Sequence, residues 1–298
     1  MKLAYIIVSH FNLEQTLRLY NRLNHKDSLF VFHVSKKCEP RYYEKLYAAL
    51  KDRENCLFTK RVNITWGGYD LVQAVLNAID TLVEKNADFD YAFFLSGQDY
   101  PIKPREHMVQ MLGKNPGKQY MEVIPASDLG KISEWWEAYH FTVGKRRFWH
   151  PHQRKDNLLI ALYNFIFALI LPKNRQLPQG FLIYKGTSWW TLTRDCIHFM
   201  YGQVHSPEGK RIIKYFRNTW HQSELFFQTI LMNSKYRDDI INDDLRFILW
   251  HENDDGHPKM LTQTDYDDIV SSDRLFARKF NSQVDAKILD LLDEKIAA

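Results

Sequence analysis

Four places in this chain combine residue types that could do chemistry. The first is Leu95-Ser-Gly-Gln-Asp-Tyr-Pro-Ile-Lys103, where an apolar run from Tyr91 to Leu95 opens into a polar loop carrying Gln98, Asp99 and Lys103. Pro101 and Pro104 bar a simple continuation of strand or helix. Open α/β sheets build ligand sites this way, at the carboxyl ends of buried strands, though an ordinary strand–turn connection has the same pattern. The second is Ser223-Glu224, ahead of Phe226, Phe227, Ile230 and Leu231 at helical spacing. Ser223 can cap that helix. The macrodipole keeps a first-turn carboxylate ionised, whether it serves as a proton acceptor or merely supports the helix. The third is a set of cations near the C-terminus, Lys259, Arg278 and Lys279, which suit an anion or stand as solvated surface charges. The fourth is Asp88-Phe-Asp90, an Asp-x-Asp of the kind that holds a divalent cation. It precedes the strand, at the wrong end for a site at the strand's carboxyl end, and reads as a helix–strand connection.

These residues need a scaffold, and the apolar pattern supplies one. Leu3–Val8, Leu29–Val34, Asn55–Phe58 and Tyr91–Leu95 read as buried strands. Between them, Glu14–Leu23, Tyr42–Leu50 and a segment with Leu71, Val75, Leu76, Ile79 and Leu82 on one face read as helices. The β-α-β-α-β alternation implies a parallel sheet, because parallel neighbours need crossover helices. Neither Gly-x-Gly-x-x-Gly nor a P-loop is present, which disfavours those phosphate cradles. Further on, strands are expected within Lys185–Arg194, at Leu245–Trp250 and near the tail, with a final helix from about Val284.

The bulk numbers exclude several classes. The chain has 298 residues, 45% hydrophobic and 26% charged, with a net charge of +4. That describes a globular protein with a sizeable core and a mild preference for anionic partners. No nucleic-acid-binding signature is visible. Cys38, Cys56 and Cys196 form neither a disulfide framework nor a zinc pattern and suit free thiols in a reducing cytosol. Neither a signal peptide nor a spanning helix is expected. Residues 157–172 are uncharged and mostly apolar all round, and must be buried in something. A core or lid helix is one reading. The other is a membrane-interface element, flanked by cations such as Lys145, Arg146, Arg147 and Lys173 that attract anionic headgroups.

Five blocks in order resemble the core-2/I-branching β-1,6-N-acetylglucosaminyltransferase family (glycosyltransferase family 14), which also contains peptide O-xylosyltransferases. They are Ala4-Tyr-Ile-Ile-Val-Ser-His10, Thr65-Trp-Gly-Gly68, Leu95 to Lys103, Gly186-Thr-Ser-Trp-Trp190 and Ser223-Glu-Leu-Phe-Phe-Gln-Thr229. Leu275-Phe-Ala-Arg-Lys-Phe280 closes the match, and about 120–180 is covered poorly.

The resemblance implies an α/β, GT-A-like glycosyltransferase fold with a Rossmann-like N-terminal half and a mixed central sheet. It implies one domain over 1–298, with 1–104 as the nucleotide-sugar half and 105–298 as the acceptor half and diphosphate-binding tail. The implied activity is inverting transfer, with N-acetylglucosamine the expected sugar, from a UDP donor to a glycan hydroxyl. UDP-xylose transfer, or a non-catalytic glycan- or membrane-binding relative, is the alternative. No metal or cofactor is implied. Glu224 matches the family's base, although Gln222-Ser223 stand where Pro-Asp is more common. Lys279 matches the diphosphate lysine. Lys259 stands roughly where the family has an arginine, with Arg278 as competitor.

Val8, His10, Ser35, Trp66, Gly67 and Asp99 fall in the implied nucleotide pocket. His33-Val34-Ser35 departs from His-Val/Ile-Asp, removing a carboxylate that relatives place there. Glu134, Trp135, Ser188, Trp189 and Trp190 are the expected acceptor contacts, the tryptophans by stacking on pyranose faces. With no anchor and few cysteines, the expected setting is a bacterial-type enzyme of surface polysaccharide synthesis. It would be cytoplasmic, with lipid-linked acceptors and peripheral contact with anionic membrane.

Overall fold

The computed structural model describes residues 1–65, 67–143, 146–150, 158–171, 175, 177, 180–250 and 257–297. Its first part alternates as the apolar runs dictate: β1 (Leu3–Ser9), α1 (Leu13–Leu23), β2 (Ser28–Val34), α2 (Pro40–Leu50), β3 (Cys56–Phe58), α3 (Asp70–Glu84) and β4 (Tyr91–Ser96). All seven residues of β1 are buried. β1 runs parallel to both β2 and β4, and β2 runs parallel to β3. Continuous apolar runs are what a sheet covered on both faces requires.

The remainder contributes β5 (Tyr100–Pro101), α4 (Arg105–Lys114), β6 (Gln119–Met121), β7 (Ile124–Pro125), α5 (Glu134–Glu137), and the hairpin β8 (Tyr139–Val143) and β9 (Arg146–His150). Then come α6 (Leu158–Ile170), β10 (Tyr184–Lys185), β11 (Trp190–Thr193), α7 (Arg194–His205), α8 (Pro207–Phe216) and α9 (Phe226–Met232). Last are β12 (Ile240–Asn242), β13 (Arg246–Ile248), α10 (Tyr266–Ser271), β14 (Phe276–Arg278) and α11 (Lys287–Ala297).

The central sheet has seven strands in the order β12-β6-β11-β4-β1-β2-β3. β11 is antiparallel to both β4 and β6, so the sheet is mixed. This is the α/β, GT-A-like architecture that the sequence implies. The β4–β11 ladder joins residues from before and after position 104 into one sheet.

Alternate residues of β1 enter two cores. Leu3, Tyr5 and Ile7 meet Leu19 of α1, Leu46 of α2 and Ile288 of α11. Ala4, Ile6 and Val8 meet α3 and the later helices through Val75, Ile197 and Phe227. Each such side chain contributes about 1.5–3 kcal/mol of burial.

A small sheet, β13-β14-β5, lies over the carboxyl end of β4. β14 pairs with β5, so the C-terminal tail is laid on the loop that follows β4. Ile102 N–H donates to the Leu275 carbonyl at 2.9 Å, and Phe280 N–H donates to the Gln98 carbonyl at 2.9 Å. Among the described residues, no helix is long and apolar enough to cross a membrane.

Candidate active site

A cleft of about 1240 Å³ opens at the carboxyl ends of β1, β2 and β4. Its wall includes Val8, His10, Ser35, Gly67, Ser188, Trp189, Glu224, Arg278 and Lys279, all expected site residues. Asp88 and Asp90 lie at the amino end of β4, the far end of the strand. Asp88 is paired with Lys2 and Arg194, and Asp90 accepts from Lys2 N–H at 2.6 Å.

Glu224 closes a 3₁₀ turn, Gln222–Glu224, and α9 begins only at Phe226. Ser223 is therefore not an N-cap. Its hydroxyl instead accepts from Ser188 Oγ at 2.8 Å, tying the turn to the loop between β10 and β11. The turn starts at His221, whose left-handed φ of 47° reverses the chain. The Glu224 carboxylate then lies between an ammonium and an imidazole. Lys185 Nζ is 3.2 Å from Oε2 and His221 Nδ1 is 3.4 Å from Oε1. Burial pushes this carboxyl up, but His221 and Lys185 outweigh it and hold Glu224 below the ordinary glutamate value. The charge is thus fixed by partners rather than by a helix dipole.

Behind them, Trp135 stacks on the His221 ring at 4.4 Å, and Lys185 Nζ lies 5.4 Å from the Trp135 ring centre. Trp135 backs the Lys185 ammonium and the His221 ring beside Glu224, and it does not line the cleft. Glu134 is exposed outside it. Gly186 lets the strand pass close by, because a Cβ there would come within 1.9 Å of the Glu122 carbonyl oxygen. Glu122 also faces the cleft, pushed up by burial and by Asp244.

The tail supplies the opposing charge. The Arg278 guanidinium lies 4.0 Å from the centre of the Trp189 ring, and its Nε is 3.8 Å from Asp99 Oδ1. Lys279 follows, half-buried, its ammonium pushed down by burial and by Arg278. Burial and Lys279 together also push His10 down, so this imidazole is neutral at the cleft mouth. Asp99 itself is fully buried. Its Oδ2 accepts from Ser96 N–H at 2.6 Å and from Ser96 Oγ at 2.5 Å, while Oδ1 faces Arg278 and Arg246 at 3.8 Å each. A carboxylate so engaged organises cations beneath the cleft, and its geometry does not fit a metal ligand. Among the described residues no cluster of metal-ligating side chains is present.

Two more expected residues, Trp190 and Lys259, stand off the cleft wall. Trp190 is fully buried between Phe94 and Phe227, so it offers no face to a sugar. Adjacent residues of a strand point to opposite sides, which separates it from Trp189. Lys259 does not line the cleft: its Nζ is 2.5 Å from Asp265 Oδ1. Trp66 lies outside the described residues.

At the end of β2, Ser35 Oγ accepts from Ile64 N–H at 3.2 Å, and the buried His33 Nε2 accepts from Val62 N–H at 3.0 Å. Burial and Arg61 push His33 down to about 4. The Ser35 hydroxyl is thus occupied in holding the loop that leads to Gly67.

Sequence reasoning missed Lys185, His221 and Arg246. Lys185 had a signal, since it begins the block ending at Trp190. His221 precedes Glu224 by three residues, the spacing of neighbours on a helical turn. Arg246 had none, because it sits in an apolar strand run. Its Nη2 donates to the Phe94 carbonyl at 2.9 Å, with the side chain wholly buried.

The mixed α/β sheet thus presents a part-buried carboxylate and a basic tail at its strand ends. The chain belongs to the Core-2/I-Branching enzyme family, a glycosyltransferase family, whose model matches residues 3–273. It is 25% identical over 291 residues to a β-glucuronosyltransferase of Arabidopsis thaliana, covering 92% of this chain and 59% of that protein. It is 24% identical over 314 residues to xylosyltransferase 2 of Rattus norvegicus, covering 98% of this chain and 33% of that protein. The xylosyltransferase oxt of Drosophila melanogaster is 24% identical over 242 residues, with 80% and 25% covered. The chain thus spans a quarter to three-fifths of the length of these relatives.

Proposed function

We propose that the chain transfers a sugar from a UDP donor to a hydroxyl of a glycan acceptor, with inversion and without a metal ion. The observation that carries this reading is that Glu224 and the Arg278–Lys279 pair line one cleft. Glu224 takes the acceptor proton as the hydroxyl oxygen bonds to the anomeric carbon. The bond from that carbon to the diphosphate breaks on the opposite face. UDP departs with the electron pair, and Lys279 and Arg278 stabilise its charge. Trp189, held under Arg278, supplies an apolar surface for a sugar ring. His10, Ser35 and the loop at Gly67 contact the nucleotide.

N-acetylglucosamine is the donor sugar expected from the sequence. The names of the relatives favour a second reading, with xylose or glucuronate as the transferred sugar. The acceptor is a glycan of surface polysaccharide synthesis carried on a lipid, reached from the cytoplasmic face of a membrane.

The test is a donor panel of UDP-N-acetylglucosamine, UDP-xylose and UDP-glucuronate, reading UDP release and product mass for the wild type and Glu224→Gln. One donor is expected to give product with the wild type alone. Equal turnover by the two proteins overturns the base assignment, and no turnover with any UDP-sugar overturns the donor class.

A further inference from the structure

We infer that helix α6 seats the protein on an anionic lipid surface. Leu158, Leu162, Phe165 and Leu169 recur at steps of four, three and four residues, which places them on one stripe of the helix. Their exposures are 87%, 54%, 63% and 72%, and Ile166 and Ile170 widen the stripe. The other face is fixed. Phe167 lies 5.3 Å from Phe141 and 4.3 Å from Tyr163, and Asn164 Oδ1 pairs with His150 Nδ1 at 3.2 Å. The helix is thus held by the β8–β9 hairpin while its most apolar side faces outward. A contiguous exposed apolar patch of this kind marks a partner surface.

Charge selects the partner. Residues 138–182 carry seven lysines and arginines and one acidic residue, Asp156, whereas the whole chain is only +4. The remaining sequence is therefore net negative, and positive charge is concentrated in the sequence flanking α6. Of these side chains Arg175 is turned inward, donating to the Trp136, Ala138 and Asn218 carbonyls. Arg146 and Arg147 belong to β9, in the hairpin that supports the helix. A stripe of Leu, Ile and Phe amid cations matches a plane of phosphate headgroups over hydrocarbon. A second copy of the chain is disfavoured, because a twofold contact would set the same cationic segment against itself. The helix has 13 residues and is about 20 Å long, short of the ~30 Å needed to span, so it lies in the interface. This inference does not depend on the transfer chemistry.

The test is co-flotation of the intact protein with phosphatidylcholine vesicles, with and without phosphatidylglycerol. The wild type is expected to float with the anionic vesicles and to be released by high salt. A Leu162→Glu/Leu169→Glu variant is expected to lose at least about tenfold in recovery. Because both positions are exposed, its melting temperature should stay that of the wild type. Phe165→Trp, which keeps an interfacial aromatic, should float as the wild type does. The proposal is overturned if the wild type does not float, or if the double glutamate variant floats equally well. It is likewise overturned if light scattering shows a dimer that the glutamates dissociate while vesicles recover nothing, which assigns the stripe to a second copy.

Discussion

The Lys185 ammonium stands 3.2 Å from the Glu224 carboxylate, across from the imidazole of His221. The carboxylate that faces the cleft is thereby kept charged at the expense of some basicity. The acid limb of kcat/KM should therefore lie below the ordinary glutamate value of 4.5. Lys185→Met removes one cation, so the limb should move to higher pH. A pH–rate profile of both proteins checks this, and an unmoved limb would detach Lys185 from the base.

Replacing Glu224 by Gln keeps the size of the side chain and removes the proton acceptor. A loss of about 10²–10⁴ in kcat is expected, with little change in donor KM. Steady-state kinetics with the donor that the panel identifies provide the measurement.

Lys279→Ala and Arg278→Ala should separate into different effects. Lys279 is half-buried and, among the described residues, pairs with no carboxylate, so its loss should weaken diphosphate stabilisation and leave melting unchanged. Arg278 sits on Trp189 and faces Asp99, so its loss should also cost about 1–3 kcal/mol of stability. Chelator should leave activity intact in the wild type. Activity that disappears with EDTA and returns with Mn²⁺ contradicts the assignment of the diphosphate charge to these cations.

His33 gives the fold a pH dependence of its own. Its folded pKa is about 4 against an ordinary value of 6.5. Between those values the unfolded chain binds the proton and the folded one does not, so stability falls as pH drops through this window. The loss should be on the order of 2–4 kcal/mol by pH 4. Denaturant titrations at several pH values would measure it, and His33→Gln should flatten that part of the curve.

Gly186→Ala should destabilise by about 1–3 kcal/mol, because the added methyl meets the Glu122 carbonyl rather than a movable side chain. Gly186 N–H also donates to the Glu224 carbonyl at 2.8 Å, so activity should fall more than stability does. Comparing melting temperature with kcat separates the two effects.

The parallel half of the sheet was legible because a strand buried on both faces leaves an uninterrupted apolar run, as in β1 and β4. Glu224 and Lys279 were legible through motifs. The local cause of the Glu224 charge was not. A capped helix start and a 3₁₀ turn use the same residues, and only tertiary placement brings Lys185 within 3.2 Å. Lys259 looked free in sequence, yet Asp265 six residues on captures it once Thr262 and Asp265 form a capping box. Arg246 was invisible because its compensating groups, the Phe94 carbonyl and Asp99, come from 152 and 147 positions away.

The tail laid over the β4 loop also sets an order of events during synthesis. Gln98 is translated 182 positions before the Phe280 backbone that it touches. At ~5–20 residues per second, β1–β4 can exist for roughly 10–40 s before their last cover arrives. For most of that interval Asp99 lacks both Arg246 and Arg278, and the cleft lacks the Arg278–Lys279 pair. The nascent protein is thus a sheet with an open end, covered only when β14 docks.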